Sequence, residues 1–454
     1  MRRKRGWLIS TFAVALLAAG CGAESAGAPS STGTPLSSAT TAPPASTNTS
    51  AAPSRPSATH VPGHLALITE PDAGLAPVLS AVTGARRQVD MVMYEDEDTH
   101  VNAALTADEQ RGVKVRVLLN GGYDGDGSAQ NLAGYSYLRA HSVPVRWTPP
   151  YFALTHQKTL IVDGRAYILT FNLTPQYYAS SRDFGVIDTI PADDSAVEQT
   201  FEADWNGHPI TAPTGADLVW SPGSEQAQVN LISSASGFVD VYNEEMDSPT
   251  IEQALAADAQ RGVNVKVTMT AGSSWDRAFA QLTDAGVHVR TYAQNAPLYI
   301  HAKMILTSTR VFIGSENFSA TSMLQNREVG LITSDRTIRA SLERTFDADY
   351  DGATPFTAGG GSSSTSTTSA RSQNTNGAQC SASASYSTRY GDYDVYVQSN
   401  QAQVTVTVTD VSGRSDSWHT SSSGDADVYF KAPASASGET VTVHAGSATC
   451  TTTL

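Results

Sequence analysis

The feature that most constrains the fold of this chain is an internal repeat. The stretch VDMVMYEDEDTHVNAALTADEQRGVKVRVLL, which begins at Val89, has a near-copy, VDVYNEEMDSPTIEQALAADAQRGVNVKVTM, which begins at Val239. The tetrapeptide QRGV recurs within it, starting at Gln110 and again at Gln260. Two copies of one structural module are the simplest explanation.

Each copy predicts the same succession of secondary structure. A short apolar strand precedes a segment with helical spacing of apolar residues. Each helix is expected to end at a glycine, Gly112 or Gly262, because glycine adopts the left-handed conformation at little steric cost. An alternating strand, a helix–strand unit and a hairpin-like pair follow. The repeat therefore predicts an α/β fold with two tandem α/β/α modules, residues 63–212 and 213–356, related by a pseudo-two-fold.

The N-terminus has the features of an export signal, which we assign to residues 1–21. A basic start, MRRKR, precedes an apolar stretch and then small residues. The segment LLAAGC resembles a bacterial lipobox, in which Cys21 is lipid-modified; a plain secretory signal is the alternative. Residues 22–62 are rich in Ser, Thr, Ala and Pro and predict a disordered tether. We expect an exported bacterial protein, either a cell-surface lipoprotein or secreted.

The C-terminal part of the chain has a different character. After a Gly/Ser/Thr-rich linker, residues 357–379, residues 380–454 alternate with period two between Gly- and Ser-rich turns. This pattern predicts a small all-β sandwich. Cys380 and Cys450 are a lone pair in one small domain, and in a chain expected to be exported they predict a disulfide. Binding of cell-envelope material is a hypothesis for this domain, whose residues name no ligand.

The chemistry-bearing residues also occur twice. The stretches THQKTLIVDG and IHAKMILTST, which begin at Thr155 and Ile300, each place a histidine two residues before a lysine at the head of an apolar run. On a strand, residues two apart point to the same face. Matching polar residues follow each motif at equal spacing. The two sets are His156, Lys158, Thr170, Asn172 and Asp183, and His301, Lys303, Ser315, Asn317 and Glu328.

If the modules pack about a two-fold, these two sets converge on one cleft rich in hydrogen-bond donors. Such a cleft suits a phosphate or phosphodiester, whose free oxygens accept from Lys and Asn. One neutral imidazole attacks phosphorus while the other donates a proton to the leaving alkoxide. A carboxylate, Asp183 or Glu328, on the far nitrogen of each imidazole would fix its tautomer. The lysines supply positive charge, so this chemistry needs no metal or other cofactor.

Less specific interpretations apply to several of these residues. The alternative role of Asp183 and Glu328 is to form surface ion pairs with the neighbouring Arg182 and Arg327. The asparagines are also common turn formers after a strand. Glu95 and Glu245, at strand ends in each copy, are expected to be solvated or to be polar supports near the rim of the cleft.

The spacing of these residues resembles the phospholipase D superfamily, whose motif is His-x-Lys-x4-Asp followed by Gly-Ser-x-Asn. The first copy reads HQKTLIVD and then LTFN, with Leu169 where Gly is usual. The second reads HAKMILTS, with Ser308 at the Asp position, and then GSEN. The resemblance covers roughly residues 63–356. It implies that His156 is the nucleophile, that His301 is the general acid and then base, and that Asp163 is structural.

The resemblance implies a phosphodiesterase that hydrolyses the head-group bond of membrane phospholipids such as phosphatidylcholine, with transfer to other alcohols as a side reaction. The near-symmetry of the copies leaves open which histidine attacks. A metal-independent endonuclease and a non-enzymatic surface binder with a degenerate fold are the alternatives. The net charge of −15 disfavours nucleic acid as the partner. We expect a monomer.

Overall fold

The computed structural model describes residues 64–122, 128–357, 372–373, 378–387, 392–401, 404–420 and 425–454. The predicted export signal, Cys21 and the first tether lie outside the described residues. Within the described ranges, no helix combines the length and the apolar character that crossing a bilayer requires.

The first half is a mixed sheet with helices on its faces. Its strands are β1 (Leu65–Glu70), β2 (Gln88–Met93), β3 (Lys114–Leu119), β4 (Val145–Trp147), β5 (Thr159–Val162), β6 (Ala166–Leu169) and β7 (Ser181–Asp188). Its helices are α1 (Ala76–Thr83), α2 (Thr99–Gln110), α3 (Leu132–Ala140) and α4 (Pro191–Trp205). The strand order is β1-β7-β6-β5-β2-β3-β4, in which β2, β3 and β4 are parallel.

The second half repeats this design. Its strands are β8 (Leu218–Ser221), β9 (Phe238–Tyr242), β10 (Met246–Asp247), β11 (Asn264–Thr270), β12 (His288–Tyr292), β13 (Tyr299–Ile300), β14 (Lys303–Thr307), β15 (Val311–Gly314), β16 (Phe318–Ser319), β17 (Glu328–Thr333) and β18 (Thr354–Pro355). Its helices are α5 (Glu225–Ser233), α6 (Pro249–Gln260), α7 (Asp276–Asp284), α8 (Ala320–Leu324) and α9 (Arg336–Gly352). The order β8-β17-β15-β14-β9-β11-β12-β18 matches that of the first sheet, so the predicted duplication of an α/β module is confirmed.

Local sequence signals account for the matched helices. Asp98 caps α2 by accepting from the amides of His100 and Val101, and Ser248 caps α6 by accepting from the amide of Ile251. Gly112 and Gly262 follow these helices with φ angles of +89° and +88°. The predicted helix ends are therefore confirmed, and both glycines occupy the left-handed conformation.

A shared hydrophobic core joins the two halves. One buried cluster contains Phe184 and Phe201 from the first half together with Tyr242, Met304 and Phe346 from the second. The helices α4 and α9 both contribute to it, so they lie in the layer between the two sheets. Each half also has its own outer core beneath the remaining helices. Burying apolar area in the shared core stabilises the face-to-face arrangement.

The C-terminal residues form antiparallel sheets. The strands are β19 (Ser372–Gln373), β20 (Gln379–Ser387), β21 (Asp392–Ser399), β22 (Thr405–Thr409), β23 (Ser415–His419), β24 (Asp425–Phe430), β25 (Thr440–Ala445) and β26 (Ala448–Thr453). They make two four-stranded sheets, β19-β20-β21-β24 and β23-β22-β25-β26. Cys380 and Cys450 are joined by a disulfide, with Cα atoms 5.7 Å apart. The predicted all-β domain and its disulfide are confirmed.

Candidate active site

Each motif histidine is carried on a segment that pairs with the opposite half. The parallel strand β13 pairs with β7, and Arg182 accepts at its carbonyl from the amides of His301 and Ala302, at 3.2 and 2.9 Å. In the equivalent contact on the other side of the pseudo-two-fold, the amide of Gln157 donates to the carbonyl of Arg327 at 3.0 Å. The backbone of each half therefore positions the histidine of the other.

The histidines and lysines precede or begin the strands rather than lying within them. β5 begins at Thr159 and β14 at Lys303, so the sequence expectation of an earlier strand start is wrong by two to three residues. Lys158 Nζ donates to the carbonyl of His156 at 2.7 Å, and Lys303 Nζ donates to that of His301 at 2.6 Å. Both lysine side chains are fully buried, and hydrogen bonding to the carbonyl partly offsets that desolvation.

The carboxylates cross between the halves. Nδ1 of His156 lies 2.7 Å from Oε2 of Glu328, and Nδ1 of His301 lies 2.8 Å from Oδ1 of Asp183. A carboxylate only accepts hydrogen bonds, so each contact places a hydrogen on Nδ1. In a singly protonated ring, Nε2 is then left with its lone pair.

The neighbouring arginines bind elsewhere, which removes the alternative of surface pairs between adjacent residues. Arg182 donates to both carboxylate oxygens of Asp349 at 2.6 and 3.0 Å. Arg327 donates to both oxygens of Asp204 at 3.0 and 3.1 Å. All four side chains are buried, and each pair joins one half to the other. Sequence reasoning missed the two aspartates, although they recur at equivalent places at the ends of α4 and α9.

The two hydroxyl residues of the repeated set support the carboxylates and the backbone. Thr170 Oγ1 donates to Asp183 at 2.6 Å, and Ser315 Oγ lies 3.5 Å from the Val329 carbonyl. Both side chains are fully buried. Glu328 accepts from Ser322 Oγ at 2.5 Å and from Asn326 Nδ2 at 3.0 Å. Sequence reasoning did not identify Ser322 and Asn326.

The two asparagines are each held by a glutamate. Asn172 Nδ2 donates to Glu95 Oε2 at 3.1 Å, and Asn317 Nδ2 donates to Glu245 Oε1 at 2.8 Å. Burial raises the pKa of each glutamate to about 7, against the opposing charge of a nearby lysine. These glutamates are therefore polar supports inside the cleft, and not solvated surface residues.

The two halves of the site differ at one pair of equivalent positions, Tyr94 and Glu244. The Tyr94 ring packs edge-on against His156 with ring centroids 4.5 Å apart, and Lys158 Nζ lies 4.8 Å from its centroid. Oε2 of Glu244 instead lies 3.2 Å from His301 Nε2 and 2.9 Å from Lys303 Nζ. When the two repeats are aligned with an offset of 150 residues, Tyr94 and Glu244 occupy the same position. This alignment could have identified Glu244 from the sequence.

Burial and neighbouring charges also act on His156 and Lys158. Burial and the positive charge of Lys158 lower the pKa of His156 to about 4, although Glu328 opposes that shift. Burial and Lys303 lower the pKa of Lys158 to about 7. His156 is therefore neutral at pH 7, and it carries its lone pair on Nε2.

A small cavity of about 30 Å³ opens beside His301. It is lined by acidic and aromatic residues, among them Glu70, Glu95, Phe171, Tyr177 and Tyr178. Glu70 is 1% exposed. Among the described residues, no side chain or amide donates a well-formed hydrogen bond to its carboxylate oxygens, and the Gly74 amide lies near them. Burial raises the pKa of Glu70 to about 7. The cavity thus brings carboxyl groups and aromatic rings together beside His301.

An apolar groove flanks the segment that carries His156. It is lined by Pro150, Tyr151, Phe152, Ala153, Pro222, Leu324 and Gln325. Tyr151 and Leu324 are 43% and 50% exposed, so the groove presents uncovered apolar surface to solvent. The amide of Ala153 donates to the carbonyl of Gln325 at 3.2 Å, which places the groove at the junction of the two halves.

Two motif positions of the first half, Leu169 and Asp163, have structural explanations. Leu169 is fully buried in the outer core of the first half and packs over Gly185, where a Cβ would lie 2.8 Å from a leucine methyl. Its side chain therefore faces away from the cleft. Asp163 accepts from the amides of Arg86, Arg87 and Gln88 at 2.8, 2.8 and 3.1 Å, so it anchors the hairpin of the first half.

Comparison with known proteins agrees with the duplicated architecture. The sequence profile of the family described as "Cardiolipin synthase, PLD-like domain" matches residues 78–205 and 229–350, one segment in each half. Cardiolipin synthase B of Salmonella typhi is 23% identical over 328 residues, which cover 61% of this chain and 78% of that protein.

Two solved structures share the fold at low sequence identity. A phosphatidylserine synthase from Haemophilus influenzae Rd KW20 superposes with a TM-score of 0.53 at 10% identity, covering 64% of this chain and 87% of that chain. A polyphosphate kinase from Porphyromonas gingivalis gives 0.50 at 16% identity, covering 63% of this chain. This chain spans about half of the kinase, 50% of its length.

Proposed function

Because this chain belongs to the phospholipase D-like family of the cardiolipin synthase type, we propose that it cleaves the head-group phosphodiester of phospholipids through a phosphohistidine intermediate. One observation carries this proposal: each imidazole is held at Nδ1 by a carboxylate of the other half. Two buried lysines lie beside those imidazoles and provide the charge that a phosphodiester requires.

His156 is the nucleophile in this proposal. Its pKa of about 4 keeps it neutral, and the Glu328 contact directs its lone pair to Nε2. Attack forms an Nε2–phosphorus bond and breaks the bond between phosphorus and the head-group oxygen. Lys158 and Lys303 stabilise the negative charge on the free oxygens.

His301 is the proton donor and then the acceptor. Both of its ring nitrogens face carboxylate oxygens, so a hydrogen on each nitrogen satisfies both contacts. The Nε2 proton passes to the leaving oxygen, which departs as a free alcohol. The neutral ring then takes a proton from water, whose oxygen attacks phosphorus and breaks the bond to His156. The products are a phosphatidic acid and the head-group alcohol.

Three features favour a lipid over a nucleic acid. The carboxyl groups and aromatic rings beside His301 would attract an amine-bearing head group such as choline to this side of the cleft. The apolar groove beside His156 suits acyl chains. The carboxylates in the cleft, with the net charge of −15, oppose the approach of a polyanion.

Transfer to an alcohol is the second candidate outcome of the same intermediate. A hydroxyl that replaces water in the second step yields a new phosphodiester instead of phosphatidic acid. The matched relative is named as a synthase, which supports this candidate. Measuring head-group exchange in the presence of glycerol separates transfer from hydrolysis.

We also infer that the enzyme is exported, because the basic start and apolar stretch of residues 1–21 are typical of an export signal. The linked β-sandwich then holds the catalytic halves at the cell envelope. Radiolabelled palmitate incorporation, lost in Cys21→Ser, would support lipoprotein anchoring; secretion of unlabelled protein would contradict it.

The substrate class is tested with phosphatidylcholine vesicles in one reaction and supercoiled plasmid in another, both with chelator. Choline release without nicking supports the proposal, whereas nicking without choline release supports the endonuclease. If neither substrate nor an aryl phosphodiester is cleaved, the chain is a non-enzymatic binder. His156→Ala and His301→Ala variants control for contaminating activity.

A further inference from the structure

Glu244 places a negative charge on the donors that a phosphate would use. Its Oε2 atom lies 3.2 Å from His301 Nε2 and 2.9 Å from Lys303 Nζ. Its Oε1 atom accepts from the Tyr299 hydroxyl at 3.1 Å. The equivalent position in the first half holds Tyr94, a neutral ring, so only one end of the site carries this resident anion among the described residues.

The carboxylate of Glu244 is ionised in this position. Burial alone would raise its pKa, but the charges of His301 and Lys303 more than offset burial and hold the pKa well below its usual range. The glutamate therefore neutralises part of the cationic site in the free protein. Its side chain is 18% exposed, so it is not completely enclosed.

The single hydrogen on His301 Nε2 cannot serve a substrate oxygen and the Glu244 carboxylate at once, so a substrate must displace Oε2 from this nitrogen. Lys303 Nζ has three hydrogens, of which the His301 carbonyl and Glu244 take two. The displaced carboxylate remains on its backbone, within a few ångströms of the bound phosphate. At that range its repulsion of the ligand grows with the charge of the ligand, because the interaction energy is proportional to the product of the charges.

We propose that Glu244 is a built-in competing anion that makes the site prefer a phosphodiester monoanion over a phosphate monoester dianion. A diester carries one negative charge, whereas a terminal phosphate carries nearly two at pH 7. Inorganic phosphate and phosphatidic acid are thus repelled more strongly than the substrate. Glu244 thereby promotes release of the product, an inference that rests on the proposed function only in taking a diester as the substrate.

The test is Glu244→Gln, which removes the charge while keeping a group that can bond to Tyr299. Titration calorimetry at pH 7.5 compares inorganic phosphate with dimethyl phosphate. We expect phosphate affinity to rise about tenfold or more, and dimethyl phosphate affinity to rise severalfold less. Glu343→Gln, an exposed charge on α9, is the matched control and should change neither affinity. An equal change for both ligands in Glu244→Gln, or no change, overturns the inference.

A second variant guards against misfolding of the first. Glu244→Asp keeps the charge but withdraws it from Lys303, so the preference for the diester should be intermediate; a preference as weak as that of Glu244→Gln contradicts the proposal. Calorimetry needs no turnover, so a wild-type protein that cleaves no lipid would refute the proposed function while leaving this test decisive. In active protein, Glu244→Gln should be inhibited by phosphatidic acid at about tenfold lower concentration.

Discussion

The Asp183 carboxylate of the first half lies 2.8 Å from Nδ1 of His301 in the second half. The same relationship in reverse links Glu328 to His156 at 2.7 Å. Neither half alone holds an oriented histidine, so the duplicated halves are interdependent in chemistry as well as in packing. This exchange explains why both copies of the motif and both acidic residues occur in the chain.

The crossed contact predicts a large loss of activity in Asp183→Asn. An amide can donate to Nδ1 as well as accept from it, so the ring of His301 loses its enforced tautomer and orientation. We expect kcat on an aryl phosphodiester to fall by about 10²-fold to 10⁴-fold, with a smaller change in KM. Glu198→Gln, on the exposed face of α4, is the control. Retention of more than a tenth of wild-type kcat would contradict the orienting role.

The assignment of the two histidines predicts different behaviour for their alanine variants. With a p-nitrophenyl ester, the leaving phenolate needs no proton, so His301→Ala should still form the phosphohistidine. Its breakdown should be slow because the base is missing. A ³²P-labelled diester should therefore leave label on His301→Ala after quenching under alkaline conditions, and none on His156→Ala. Label on His156→Ala alone would reverse the assignment.

The shifted groups predict a bell-shaped dependence of kcat/KM on pH. The pKa of His156 is lowered to about 4, so the nucleophile is protonated below that value and neutral above it. The pKa of Lys158 is lowered to about 7, so its charge is present below that pH and lost above it. Activity should rise through about pH 4 and fall through about pH 7. A rate that stays constant from pH 5 to 9 would contradict this division.

Glu95→Gln tests whether Lys158 sets the alkaline limb. The charge of Glu95 raises the pKa of Lys158, so its removal should move the alkaline limb to lower pH. The glutamine can still accept from Asn172, which preserves that contact. Glu343→Gln should leave the profile in place, and an unmoved limb in Glu95→Gln would assign it to another group.

The repeated pattern predicted the two-module architecture because apolar periodicity and glycine positions are local properties of the sequence. It could also nominate Asp183 and Glu328, since their spacing from each histidine is regular. Their partners could not be assigned in this way, because exchange between halves depends on how the sheets face each other. Glu244 escaped attention because it breaks the symmetry that identified the other residues. Leu169 stands where the motif usually has glycine, and its packing against Gly185 explains why a larger residue fits there.

The buried pair of Arg182 and Asp349 predicts a large effect on stability. Asp349→Asn leaves the Arg182 charge without its carboxylate in a buried site, which should lower the free energy of unfolding by about 3–5 kcal/mol. Asp347→Asn is the matched control on the same helix. Its carboxylate is 54% exposed and lies 3.3 Å from Lys266, so its loss should cost less than about 1 kcal/mol.

Both variants are compared by urea unfolding, followed by intrinsic fluorescence, with activity measured at temperatures where each remains folded. Asp349→Asn should also lose activity, because the carbonyl of Arg182 accepts from the amides of His301 and Ala302. A shift of Arg182 would therefore displace the histidine from Asp183. Equal unfolding midpoints for the two variants would show that the ion pair between the halves does not stabilise their arrangement, and full activity in Asp349→Asn would show that it does not position His301.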